Sequence, residues 1–171
     1  PAGLREAGFP HGILSTLALA EPPRAAEALD HCRTGLARMQ AAVEASGKPD
    51  AWALDLANRH AWLADAWRFN GNDARAREHR LAEEAIVERL RRKDPANMKV
   101  RLRWIAVQRA MAALEYSAGR SDLARERFEA ALAGAEAMVA HEPANEQWAA
   151  LRRKAADDLV ALARLEREKL R

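Results

Sequence analysis

Three features of the 171-residue sequence predict an all-α fold. Alanine, leucine, arginine and glutamate, strong helix formers all, dominate it. Runs of alternating β-branched residues, the mark of strands, do not occur. Apolar residues recur at helical spacing, with Leu56, His60, Leu63 and Trp67 on one stripe and Val107, Ala110, Met111 and Leu114 on another. At 49% hydrophobic and 31% charged, with few glycines and prolines, the chain is neither disordered nor collagenous.

The expected elements are a short helix at 11–20 and helices at 25–45, 51–69, 73–92, 96–117, 121–140 and 144–169. The first covers the apolar patch Ile13 to Ala20. It reads as a helix rather than a signal peptide because no strongly basic leader precedes it, although "ALA" before Glu21 resembles a cleavage site. Gly71 in "NGND" and Gly119 in "AGRSD" can take the left-handed conformation that closes a helix. Asp73 and Ser121 are then expected to cap the helices that follow. "DPAN" at 94–97 and "EPAN" at 142–145 place an acid beside a helix start and proline in its first turn, where a missing N–H costs nothing.

These marks repeat every 48 residues. Residues 50–97 laid over 98–145 give 12 identities in 48, where about 5 arise by chance. Leu54 meets Leu102, Gly71 meets Gly119, Ala76-Arg77-Glu78 meets Ala124-Arg125-Glu126, and Pro95 meets Pro143. Trp52 and Trp148 stand two periods apart. Each unit therefore reads as helix, tight turn, helix, short proline turn. The units run approximately 1–47, 48–93 and 94–141, with a C-terminal helix at 142–171, all within one repeat domain. The chain lacks an initiating methionine and stops inside the helical pattern "LARLEREKLR", so it is expected to be a piece of a longer protein.

Met111–Ala112, Gly119, Ala124, Phe128, Ala131 and Pro143 in one unit, and Leu63–Ala64, Gly71, Ala76 and Pro95 in the unit before, follow the order of the tetratricopeptide repeat pattern. Over roughly residues 50–170 the chain resembles that family, in an extended form similar to repeats of multidomain bacterial proteins. The departures are the 48-residue period in place of 34, and Arg80 and Glu83 where an aromatic and a small residue are usual. The resemblance implies about three antiparallel helix hairpins plus the C-terminal helix, stacked as a right-handed superhelix.

Residue patterns argue against catalysis. Glu83–Glu84 and Asp157–Asp158 are adjacent on helices, so their carboxylates diverge by about 100° rather than converging on a substrate. The five histidines are scattered, and "DHC" at 30–32 sends its three potential ligands to different sides of a helix, so no metal or cofactor is expected. The single cysteine, Cys32, excludes an internal disulfide and suits a cytoplasmic setting. No apolar run reaches the length of a membrane helix. Net charge is only +3 with both signs interspersed, a salted helical surface rather than a nucleic-acid footprint. "RLRRK" at 89–93 lies at a helix C-terminus, where cations are favourable anyway. Of the five tryptophans, Trp52, Trp67 and Trp148 are expected to pack between helices, whereas Trp62 lies one place off its stripe as a candidate binding residue.

In the family resembled, first helices of successive repeats line a groove that holds a peptide. Carried over from Gly71 and Gly119, the groove positions are Asn58, Ala61, Asp65, Arg68 and Phe69, then Ala106, Arg109, Ala113, Tyr116 and Ser117. The last helix offers Lys154, Asp157, Ala161, Arg164 and Leu165. Asn58, Asp65, Arg68, Phe69, Arg109, Tyr116, Lys154, Asp157 and Arg164 are the partner-binding candidates, and the cations among them suit an acidic, partly apolar peptide. The expected function is a non-catalytic protein-interaction module of a larger bacterial signalling, regulatory or assembly protein. Two alternatives are self-association through Leu159, Leu162 and Leu165 of the last helix, and nucleic-acid binding by arginine-rich faces.

Overall fold

The computed structural model describes residues 25–169, and the helix expected at 11–20 lies outside them. The described residues form six α-helices and no strand: α1 (Ala25–Ser46), α2 (Ala53–Phe69), α3 (Asp73–Lys93), α4 (Met98–Ser117), α5 (Ser121–His141) and α6 (Glu146–Lys169). A 3₁₀ turn at Pro49–Trp52 leads into α2. The chain divides into two compact units, Pro1–Lys93 and Asp94–Arg171, and the division falls at the first residue of "DPAN".

In the N-terminal unit α1 packs on α2 and α2 on α3. Asp65 meets Arg80, His60 meets His79, and Asp50 meets Arg89 and Lys93. Partners separate along both helices at once, which makes α2 and α3 an antiparallel hairpin. Leu29, Cys32 and Leu36 from α1 form a core with Leu63 and Ala66 from α2, flanked by Leu56, Trp62 and Trp67. Cys32 is thus a packing residue in an apolar setting.

The C-terminal unit is built in the same way from α4, α5 and α6. Glu115 meets Arg120 and Gln108 meets Arg127 across the α4–α5 turn. Arg125 reaches Glu166 on α6, and the ring of His141 lies 6.3 Å from that of Trp148. Ile105, Ala131, Ala135 and Met138 form the core, flanked by Met98, Trp104, Trp148 and Leu151.

Both hairpin turns close alike. Gly71 (φ 74) and Gly119 (φ 78) are left-handed, and their N–H groups donate to the carbonyls of Arg68 and Tyr116, both at 2.9 Å. Asn72 and Arg120 donate to Trp67 and Glu115, again both at 2.9 Å. This double closure is the Schellman motif, and only glycine takes its φ without strain.

Helix starts differ from the sequence expectation. Proline does not enter the helix: residues 95 and 96, like 143 and 144, form a turn, and α4 and α6 begin at Met98 and Glu146. The caps are the asparagines. Asn97 Oδ1 accepts from the Val100 N–H at 3.3 Å, and Asn145 Oδ1 accepts from the Trp148 N–H at 3.2 Å. The acid of each tetrapeptide receives its asparagine's amide N–H, Asp94 at 3.3 Å and Glu142 at 3.2 Å. Each tetrapeptide is thus a closed turn whose acid orients the capping amide. Asp73 and Ser121 do not cap either. Asn72 Oδ1 accepts from the Arg75 N–H at 3.0 Å, and Arg120, the residue at the N-cap of α5, makes no side-chain capping bond.

Asn97→Ala and Asn145→Ala are each expected to lower stability by about 1 kcal/mol, the usual worth of such a cap. Ser121→Ala should shift it by less than about 0.5 kcal/mol. Urea unfolding midpoints at unchanged slope measure all three.

Candidate partner-binding surface

Three of the sequence-derived candidates come together on the N-terminal unit. Asp65, Arg68 and Phe69, on the last turns of α2, line a hollow of about 400 Å³. Phe69 is 65% exposed, an unusual state for a phenylalanine. Arg68 is exposed and makes no ion pair among the described residues. Asp65 is half-exposed and bound by Arg80, so its charge is already balanced at the hollow's edge. Asn58 is half-buried further back on α2, while Ala61 is buried and offers no surface.

The C-terminal candidates do not form one patch of available charge. Arg109 holds Asp158 on α6 through two nitrogens, one at 3.1 Å, and both partners are largely buried. It is a structural cation there, already neutralised. Arg164 pairs with Glu168 at 2.8 Å, Tyr116 is half-buried, and Lys154 and Asp157 are exposed on α6. Leu162, expected on the self-association face, is buried within its own unit. Among exposed apolar residues of α6 are Val160 (66%) and Leu165 (42%).

Trp62 is not an open anchor either: it is half-buried, with the Arg59 guanidinium 4.4 Å from its ring centroid. The basic run at the end of α3 is also engaged. Arg89 and Lys93 both bind Asp50 beside the 3₁₀ turn, and Arg91 binds Glu88. Lys93 and Arg89 together hold the Asp50 carboxyl down to about 2.

Behind the hollow lies a charged group for which the sequence pattern gave no account. Arg80, 9% exposed, donates to Glu83 at 2.7 Å and also binds Asp65, while Glu83 is fully buried. In the 48-residue register these positions correspond to Phe128, Ala131 and Ala113. Arginine fills an aromatic's place, and the two acids that neutralise it stand where the second copy has alanines. Removing one member of such a buried group leaves a charge without its counter-ion, whereas replacing the whole group need not cost stability.

A second polar pair bridges the same hairpin. His60 Nδ1 and His79 Nδ1 are 3.2 Å apart, with ring centroids 5.4 Å apart. In the register they correspond to Gln108 and Arg127, which bond at 2.9 Å. The accepting ring must be neutral, with its Nδ1 unprotonated, so two imidazoliums cannot share the bond. Burial, and then the neighbouring His79, push His60 down to about 4. Burial also lowers His79, with Glu78 opposing and Arg75 and Arg33 adding to the depression.

Comparison of the chain with protein-family models, curated proteins and solved structures finds no match. No described helix is long and apolar enough to cross a membrane.

Arg80→Phe alone should destabilise the N-terminal unit by about 3–5 kcal/mol. The triple change Asp65→Ala, Arg80→Phe, Glu83→Ala, which installs the second copy's residues, should recover most of that loss in urea unfolding. The histidines give a pH effect of defined sign. With both folded values below the unfolded 6.5, their contribution is complete above that pH and is lost as pH falls through the folded values, about 4 for His60. Discounted for the solvent screening that two half-buried rings retain, the expected loss is about 1–3 kcal/mol. His60→Gln with His79→Arg should flatten that slope in unfolding measured from pH 7 to 4.

Proposed function

We propose that the chain is a protein-interaction module, and that the surface around Phe69 and Arg68 is where its N-terminal unit receives a partner. The exposure of Phe69 beside the hollow carries this reading. A phenylalanine can bury upwards of 150 Å² on binding, and aromatics of this kind dominate the energetics of protein contacts. Arg68 beside it offers a guanidinium for a carboxylate. Asp65 repels an incoming acid less than its formal charge suggests, because Arg80 binds it. The matching partner is a peptide segment with an apolar anchor next to an acidic residue.

The resemblance to tetratricopeptide repeats supports the same surface. In that family the first helix of each hairpin faces the ligand, and α2 is the first helix of its hairpin. The repeat register, the glycine-closed turns and the asparagine-capped starts are what support a stacked-hairpin, superhelical reading of the whole. On this reading the chain serves as a non-catalytic part of a larger protein of bacterial type, engaged in signalling, regulation or assembly.

Peptide display against the 171-residue chain tests the proposal. Selected peptides should carry an acid adjacent to an aromatic or large aliphatic residue. Phe69→Ala and Arg68→Glu should each weaken their binding about tenfold or more, equivalent to at least about 1.4 kcal/mol. Peptides that bind both variants as tightly as the parent chain would place the contact elsewhere.

A further inference from the structure

The N-terminal unit has a second concavity, on the other side of α2 from Phe69. It measures about 360 Å³ and is lined by Arg33, Leu36, Ala37, Gln40, Leu63, Trp67, Arg75 and His79. Its size lies at the small end of ligand pockets. All three helices of the unit contribute.

Leu36 and Leu63 are buried core residues and give the pocket an apolar floor. Polar groups stand at its rim. The Arg33 guanidinium lies 4.7 Å from the centroid of the Trp67 ring, an arrangement that limits the arginine's freedom before any ligand arrives. Arg75 and His79, four residues apart on α3, stand one above the other on the same face. The acids nearby leave room for a guest. Asp30 is 3.7 Å from Arg33, beyond hydrogen-bond range, and Glu78 takes one nitrogen of Arg75 at 2.8 Å. Each guanidinium has five N–H donors, so both retain several. His79 Nδ1 is engaged by His60, which leaves Nε2 as the ring nitrogen for a ligand.

We infer that this pocket between α1, α2 and α3 binds a small organic anion, a carboxylate or phosphate borne on an apolar group. Arg33 and Arg75 hold the charged end, and Leu36, Leu63 and Trp67 cover the apolar end. An anion seated between the arginines favours the tautomer in which His60 donates to His79 and His79 carries its proton on Nε2. The lowering of His79 by Arg75 and Arg33 agrees with a positive field at that spot. The site shares no lining residue with the Phe69 hollow, so either can fail without the other.

Titration of the 171-residue chain with phenylacetate and with phenyl phosphate, followed by NMR, tests the site. Saturable shifts are expected at the Trp67 indole N–H and the His79 ring, with a dissociation constant in the millimolar range or tighter. The tighter of the two probes identifies the head group as carboxylate or phosphate. Uncharged benzyl alcohol should produce no saturable shift at these signals. The double variant Arg33→Gln, Arg75→Gln changes only exposed side chains and should weaken the charged probe about tenfold or more. Equal response to benzyl alcohol, an unchanged affinity in the double variant, or no saturation by either anion up to about 20 mM would each overturn the assignment.

Discussion

Each unit depends on how closely two helices approach across one glycine-closed turn. Ala76 and Ala124 are both fully buried on the second helix of each hairpin, one turn past the glycine. Small residues there let the backbones come together, and the Schellman closure at Gly71 and Gly119 fixes the angle at which the second helix departs. Once those two features are set, the cross-helix positions are fixed as well, whatever side chains occupy them. Histidine with histidine in one hairpin, and glutamine with arginine in the other, fill the same two places. An arginine held by two acids occupies positions given to phenylalanine and two alanines in the other copy. The backbone register survives while the contacts within it are exchanged as sets.

The same exchange decides which charges remain available for function. A sequence with 28 basic and 25 acidic side chains looks like a surface covered in free charge. Folded, much of that charge is committed. Arg109 is tied to Asp158, Arg125 to Glu166, Arg120 to Glu115, and Arg89 with Lys93 to Asp50. The more exposed of these pairs, such as Arg89 and Lys93 with Asp50, add little stability, but exposed and buried pairs alike remove cations from competition for ligands. That is why Arg68, beside an exposed aromatic, stands out from the other candidate arginines.

Helix positions were legible in the sequence because glycine, proline and asparagine punctuate them, and periodicity fills the intervals. The expected limits agree with α1, α3 and α5 to within one residue and with α2, α4 and α6 to within two. Capping departs from the sequence expectation for a physical reason. Asp73 and Asn72 both suit a cap, as do Pro95 and Asn97 a helix start, and only backbone geometry at the turn selects between them. Of the site, Asp65, Arg68 and Phe69 are among the groove positions that the resemblance to tetratricopeptide repeats implies, and these three, close together on one helix, line the same hollow. Arg109 looked equally available, because its counter-ion Asp158 lies 49 residues away on another helix. The Arg33–Trp67 stack joins α1 to α2 across a similar gap, and no local pattern announces it.

Gly134 shows how such exchanges become permanent. A Cβ at this position would lie 2.9 Å from Trp104 Cζ3 and 3.0 Å from Ile105 Cγ1, so the indole occupies the space a side chain would need. The register partners of Trp104 and Gly134 are Leu56 and Ile86, a medium residue with a medium one in place of a large one with none. Neither copy can adopt the other's solution through one substitution. Isoleucine at 134 would collide with the indole, and leucine at 104 alone would leave a void beside the glycine. If the two hairpins arose from one ancestor, the route back passes through a poorly packed intermediate whichever residue changes first. Divergence at this position therefore works as a ratchet: the copies keep a common backbone, yet their interiors can no longer be interconverted one codon at a time.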